Sequence, residues 1–380
     1  MLAEASKCSG CGACVAVCPK NCIQMHPDSE GFRQPVVDTE KCIHCNRCAS
    51  VCPVMNPPVK QPEAKVYATK NKDDAVRQES SSGGVFTALA EYVLESGGAV
   101  CAAAYDNNFS VVHDFAQSKG DLGRFRGAKY AQSQADHCFP EIKRLLAAEK
   151  KVLFVGTPCQ TAALHSYLKD ECDNLLLVDM VCHGVPSPKV WKRYVDELSA
   201  EAPVEKINLR SKATGWSHYG YCVDITQQGR VAHTPQGQNW FMRGFVSNLY
   251  LRHSCENCPF KGSSRCSDIT LGDFWGIWDL APNFDDNKGT SLLMLHTSKG
   301  HAAWEGIKSS FDVLPMTMAD GVKHNPSAEK GSAPHPHRDI FFKELDSCES
   351  LCGLIQKQLA PLEEPPTIIR RILRKLKRKG

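Results

Sequence analysis

The sequence lacks any apolar run approaching the ~20 residues that a membrane span needs. Its opening, MLAEASK, lacks the hydrophobic core of a secretory signal, so a cytosolic protein is expected. No G-x-G-x-x-G turn follows a strand-like run, which leaves a dinucleotide-binding Rossmann turn unsupported, and no Walker loop occurs. Charge of one sign is also scarce. The net charge is +3, yet residues 367–380, TIIRRILRKLKRKG, carry seven Lys or Arg and no acid, so the other 366 residues net −4. The body therefore has no basic patch to accompany the tail, and nucleic acid is not an expected partner.

Cysteine is what the chain has in abundance: twenty in 380 residues. Disulfides are rare in reducing compartments, so clustered thiols there point to metal. The run CSGCGACVAVCP, from Cys8, recurs as CIHCNRCASVCP, from Cys42. Both copies read C-x2-C-x2-C-x3-C-P. Four soft thiolates suit a cuboidal iron–sulfur cluster, and the fourth cysteine of each run serves the other cluster. The expected sets are Cys8, Cys11, Cys14 and Cys52 for one 4Fe-4S cluster, and Cys42, Cys45, Cys48 and Cys18 for the second. Cys22 falls outside the repeat and is expected to be a buried small residue. Residues 1–56 resemble the bacterial two-cluster ferredoxins over their whole length, which implies a small α+β ferredoxin-like domain.

Four segments follow from composition: the cysteine-rich module at 1–56, a Pro-rich extended linker at 57–64, a body at 65–325, and a C-terminal extension at 326–380. In the body, strand-like KVYATK, AVCAAAY, VVHDFA, KVLFV and NLLLVDMV alternate with helical GGVFTALAEYVLESGG, QTAALHSYLK and PKVWKRYVDELSA. That alternation predicts an α/β fold with a mostly parallel sheet, whose sites lie in the loops after Val155 and Val181. In the tail, Ile368, Ile369, Ile372, Leu373 and Leu376 recur at helical spacing opposite the basic residues. Such a helix can lie on an anionic membrane surface, dock on a partner or remain without structure.

A second thiol set, CENCPFKGSSRC, places Cys255, Cys258 and Cys266 within twelve residues. A third 4Fe-4S cluster is expected there, with Cys159 as first choice for the fourth ligand and Cys182 as second. A zinc loop or idle thiols are the plainer alternatives. SSSGGVF opens a helix whose backbone amides could hold a phosphate, or could simply cap it.

The ordered set SSSGGVFTALA, RGAKYAQS, VLFVGTPCQTAAL, VDMVCHGVPSP and CENCPFKGSSRCSDITLGDFWGI resembles the beta subunits of deazaflavin-coenzyme (F-420) hydrogenases and dehydrogenases. The resemblance implies FAD. It assigns Ser81, Ser82, Gly83 and Gly84 to a turn near the flavin and Gly127, Lys129, Tyr130 and Gln132 to a second flavin-side loop. Thr157, Pro158, Cys159 and Gln160 match the Thr-Pro-Cys-Gln turn, and His183 and Gly184 match the Cys-His-Gly loop. His183 is a candidate proton donor and Lys129 a candidate to neutralise reduced flavin or a phosphate. Their plain counterparts are a capping histidine and a surface lysine. The function expected is an iron–sulfur flavin-dependent oxidoreductase. It would link a soluble hydride carrier or organic substrate to one-electron clusters and a redox protein partner. The alternative is a flavin-free electron relay or assembly subunit without its own substrate site.

Overall fold

The computed structural model describes residues 2–61, 64–169 and 173–360. The basic stretch at 367–380 and Cys172 lie outside the described residues, as do linker positions 62 and 63. Among the described residues no helix is long and apolar enough to cross a membrane.

The N-terminal module contains two one-turn helices, α1 (Ala13–Ala16) and α2 (Arg47–Ser50). A two-stranded antiparallel sheet, β1 (Ile23–Pro27) with β2 (Arg33–Val37), lies between them. The chain continues through β3 (Lys65–Asn71), α3 (Asp74–Glu79), α4 (Val85–Glu95), β4 (Ala99–Tyr105) and β5 (Val111–Ala116). Next come α5 (Cys138–Ala147), β6 (Val152–Gly156), α6 (Pro158–Leu168), β7 (Leu175–Met180) and α7 (Pro188–Leu198). β8 (Val204–Ser211), β9 (Cys222–Gln227), β10 (Arg230–Pro235) and α8 (Trp240–Val246) follow. The remainder is β11 (Ile269–Asp273), α9 (Ile277–Leu280), β12 (Ser291–Leu295), α10 (Ser298–Ile307) and β13 (Phe311–Met316), then α11 (Met318–Lys323), α12 (Arg338–Leu345) and α13 (Leu351–Leu359).

Eight strands form the central sheet in the order β13-β3-β12-β11-β7-β6-β4-β5. The centre is parallel: β11 with β7, β7 with β6, and β6 with β4. Both flanks are antiparallel, with β5 on one side and β12, β3 and β13 on the other. The fold is thus mixed α/β, and the expected parallel sheet is its central part. The continuous apolar runs of β6 and β7 are what a strand buried on both faces requires. Leu153 and Val155 of β6 enter the core under α4 and α10, while Val152 and Phe154 enter the opposite core under α5 and α6.

The module packs directly on this second core. Ala13 and Val51 join the buried cluster of Phe139, Ile142, Ala163 and Leu164. Gly12 makes the approach possible: its φ is 77°, and a Cβ there would stand 2.3 Å from the Asp136 Cβ. The linker is stitched down as well. Lys60 Nζ donates to the Lys261 carbonyl at 3.1 Å, and the Gln61 amide donates to the Arg265 carbonyl at 2.6 Å.

A smaller antiparallel sheet, β10-β9-β8, forms a third core with α7, α8, α12 and α13. Phe341, Leu345, Leu351 and Ile355 are buried in it. The described part of the 326–380 segment is therefore integral packing and not an appendage to the body.

Candidate functional site

In the module, Cys8, Cys11, Cys14 and Cys52 lie close enough to act on one another. Burial first, and then the neighbouring thiols of Cys8 and Cys52, push the Cys11 thiol up to about 11. Cys14 is raised by burial and then by Cys11, Cys8 and Cys52. Cys52, from the second run, thus joins the first three of the first run. In the other set Cys18 Sγ lies 3.4 Å from Cys22 Sγ, and Cys42 also acts on Cys22. Cys22 is the buried residue expected, and it touches the reach-over cysteine. Cys45 and Cys48 are exposed and half-buried respectively.

The body thiols sort differently from the expectation. Burial raises Cys159, and its thiol neighbours are Cys258, Cys182 and Cys255. Burial pushes Cys182 up to about 12, with Cys255 and Cys258 beside it. Four sulfurs, Cys159, Cys182, Cys255 and Cys258, therefore converge from the ends of β6 and β7 and from the 253–258 loop. The Val185 amide donates to Cys255 Sγ at 3.4 Å, and the Thr157 hydroxyl lies 3.1 Å from Cys159 Sγ. Cys266 faces elsewhere. Burial pushes it up to about 12, its charged neighbours are Asp179 and Arg265, and its hydrogen-bond partner is Thr161. Both Cys159 and Cys182 belong to the group, whereas Cys266 stands apart, because the turn after Pro259 carries it to the Asp179 side.

No three cysteines among the described residues bring their sulfurs within the 4.8 Å spacing of a single-ion site. A tetrahedral zinc with sulfur at about 2.3 Å would draw its thiolates closer than that. The cysteine sets among the described residues are thus spaced more widely than a single tetrahedral ion draws its ligands.

At the carboxyl ends of β4, β6, β7 and β11 lies a cavity of about 520 Å³. This is where an open α/β sheet places ligands, and its volume suits an organic cofactor. The helix-opening turns supply Ser81, Ser82, Gly84, Thr157 and Gln160 to its wall; the loop before α5 supplies Gly127, Lys129, Tyr130 and Gln132. Cys159, Cys182, His183 and Gly184 complete the sequence-predicted part. Gly83 and Pro158 do not line it. A Cβ on Gly83 would stand 2.3 Å from the Thr69 carbonyl oxygen, so that glycine serves close packing, and Pro158 occupies the first turn of α6. Gly84 caps α4 with φ 88°, and Thr157 caps α6 through a capping box with Gln160. Both helices thus turn their free amides toward this wall, where an anionic group is favoured.

The cavity is also walled by Ser9, Gly10 and Cys11 of the module. Gln132 links the two parts: its Nε2 donates to the carbonyls of Ser9 at 3.3 Å and Gly10 at 3.4 Å. Cysteine-bearing loops of the module and of the body therefore border the same space.

Lys129 is buried. Its ammonium donates to the carbonyls of Phe125, Arg126 and Gly127, while burial and then Arg124 push its pKa down to about 7. His183 is held neutral by burial; Nε2 lies 2.6 Å from Asn248 Oδ1 and Nδ1 lies 3.3 Å from Ser327 Oγ. Both imidazole nitrogens already have partners.

Several wall residues carry no signal in the sequence. Arg210, on β8, is buried, pairs with Asp273 at 2.8 Å, reaches the Tyr130 hydroxyl at 3.2 Å, and stacks over Tyr221 and Trp275. Its Nε and Nη2 are buried without a hydrogen-bond partner, and the residue forms part of the cavity wall. An isolated Arg within a strand offers no spacing rule to find it. Asp273 and Trp275 do fall in the LGDFWG stretch already singled out.

Comparison with known proteins accords with this arrangement. Residues 66–137 match the N-terminal domain of the coenzyme F420 hydrogenase/dehydrogenase beta subunit, and residues 149–316 match its C-terminal domain. Residues 7–56 match a 4Fe-4S dicluster domain. No curated protein matches the chain. Among solved structures, the chain is similar to one in the xenon-derivatised F420-reducing [NiFe] hydrogenase complex from Methanosarcina barkeri. Identity is 20%, covering 82% of this chain and 95% of that one, with a TM-score of 0.46, a likeness too low to bear on chemistry. With both halves of one family model matched in order behind an iron–sulfur module, the chain belongs to the coenzyme F420 hydrogenase/dehydrogenase beta-subunit family.

Proposed function

We propose that the protein is an iron–sulfur flavoprotein oxidoreductase that exchanges electron pairs with a hydride carrier or organic substrate and single electrons with three 4Fe-4S clusters. The observation that carries this reading is the shared wall. One cavity, large enough for an organic cofactor, is bordered both by the Cys8–Cys11 loop and by Cys159 and Cys182. Membership of a hydrogenase/dehydrogenase family supports oxidoreductase chemistry, and the beta-subunit description supports a redox protein partner.

Flavin, when bound, supplies the exchange between paired and single electrons. The residues here would hold and orient it. The amides at Ser82–Gly84 and at Thr157 favour a phosphate. Arg210, in the cavity wall, would place a fixed positive charge beside the cofactor. Lys129, with a pKa near 7, can give or take a proton at Nζ at neutral pH. His183, neutral and held between Asn248 and Ser327, orients the end of the loop that carries Cys182. Cys159, Cys182, Cys255 and Cys258 would ligate the third cluster. Residues 367–380 would add contact with an anionic membrane surface, consistent with their alternating basic and apolar pattern.

Anaerobic purification with iron, sulfide and flavin quantified together tests the proposal. About twelve irons with about one flavin per chain is the expected result. About eight irons and no flavin would replace it with the flavin-free relay.

A further inference from the structure

Away from the thiol sets, one more group of soft and borderline donors converges. β9 and β10 pair antiparallel with His233 directly opposite Asp224. Cys222 lies two residues before Asp224, so both side chains leave the same face of the sheet. His233 Nδ1 is 2.7 Å from Asp224 Oδ1, and Cys222 Sγ is 3.2 Å from the same oxygen. All three ligand atoms lie within 4.8 Å of one another.

We propose that Cys222, Asp224 and His233 form a zinc site, with water in the fourth position. Tetrahedral zinc takes sulfur at about 2.3 Å and nitrogen or oxygen at about 2.0–2.2 Å, which sets ligand-to-ligand distances of roughly 3.3–3.7 Å. The 3.2 Å sulfur–oxygen separation lies just under that range, and the 2.7 Å nitrogen–oxygen separation about 0.6 Å under it. This is the contraction expected where hydrogen bonds to one carboxylate oxygen hold the donors that an ion would spread. The burial gradient fits entry from solvent. Cys222 is wholly buried, the Asp224 side chain is 16% exposed and His233 is 47% exposed. A cross-strand His–Asp pair alone would be a half-exposed ion pair of small value, and it would not call for a buried thiol on the same oxygen. The donor set of one thiolate, one imidazole and one carboxylate suits zinc. Tyr219 and Tyr221, immediately before Cys222, stand in the cavity wall. The ion would pin the start of β9 and with it those two rings. It would take no part in electron transfer.

The test uses the full chain with its clusters intact, purified without oxygen, equilibrated with Zn2+ alone and then dialysed. Zinc is counted, and its surroundings are read from X-ray absorption at the zinc edge, which iron does not obscure. Expected are about one zinc per chain and a shell of one sulfur with three nitrogen or oxygen atoms. His233→Ala, a change at an exposed position, and Asp224→Asn should each weaken retention at least tenfold and leave the iron content unchanged. A shell of three or four sulfurs would place zinc in the cluster thiols and overturn the proposal. Retention equal in wild type and His233→Ala, or no retained zinc at all, would also overturn it.

Discussion

At the scale of single residues, the body thiols give the sharpest contrast. Cys182 sits among Cys159, Cys255 and Cys258, whereas Cys266 faces Asp179. Cys182→Ser should therefore lose about four of about twelve irons, and Cys266→Ser should keep them all. Iron and sulfide analysis of the two variants, side by side, decides the matter; the reverse pattern would put Cys266 in the set. His113 makes a different prediction. It is buried under the cavity, with Nε2 3.0 Å from the Val155 carbonyl oxygen and Nδ1 2.7 Å from Ser133 Oγ. The carbonyl can only accept, so Nε2 carries the proton and Nδ1 accepts from the serine. Burial pushes this imidazole down to about 4, against about 6.5 in the unfolded chain. Between those pH values the unfolded chain holds a proton that the folded one does not. Stability is thus full above about pH 6.5 and falls as pH drops toward 4, by roughly 3 kcal/mol at most. Denaturant midpoints at pH 7 and pH 5 should differ less in His113→Gln than in wild type. An equal difference in both would exclude the histidine as a source of the acid sensitivity.

At the scale of elements, the docking of the module rests on few but well-made contacts. Buried Arg252 donates to the Cys8 carbonyl at 2.7 Å, to the Arg33 carbonyl at 3.0 Å and to Gln132 Oε1 at 3.2 Å. Arg33 pairs with Asp136 at 2.9 Å, and buried Arg338 pairs with Glu30. Hydrogen bonds from a charged donor contribute about 1.5–3 kcal/mol each. Arg252→Met should cost on the order of 3 kcal/mol of docking free energy and raise the undocked population roughly 100-fold. Proteolytic cleavage between residues 57 and 64 should accelerate accordingly, and an unchanged cleavage rate would show that Arg252 does not hold the module. The strands at the sheet centre were legible because their apolar runs must be buried on both faces. The antiparallel flank of β12, β3 and β13 was not, since hydrophobicity alone does not record strand direction. Helix α12 was masked by the Pro- and Gly-containing stretch at 331–337 before it, although with α13 it completes the third core.

At the scale of the whole molecule, motif and geometry carried different shares of the site. The doubled cysteine run carries its expected crossed pairing in the sequence alone, because the spacing indicates which thiolate would reach over. The body set could not be read the same way: four sulfurs from three separated loops meet only through the sheet's topology. Arg210 was invisible for the same reason, and its pairing with Asp273 joins the small sheet to the large. The linker has a wider consequence. Hydrogen-bonded at Lys60 and Gln61 to the loop that bears the body thiols, it is not a tether for a swinging arm. On the proposed reading, current between the metal centres would cross gaps that folding has already set, and no travel of a carrier domain would be needed to close them.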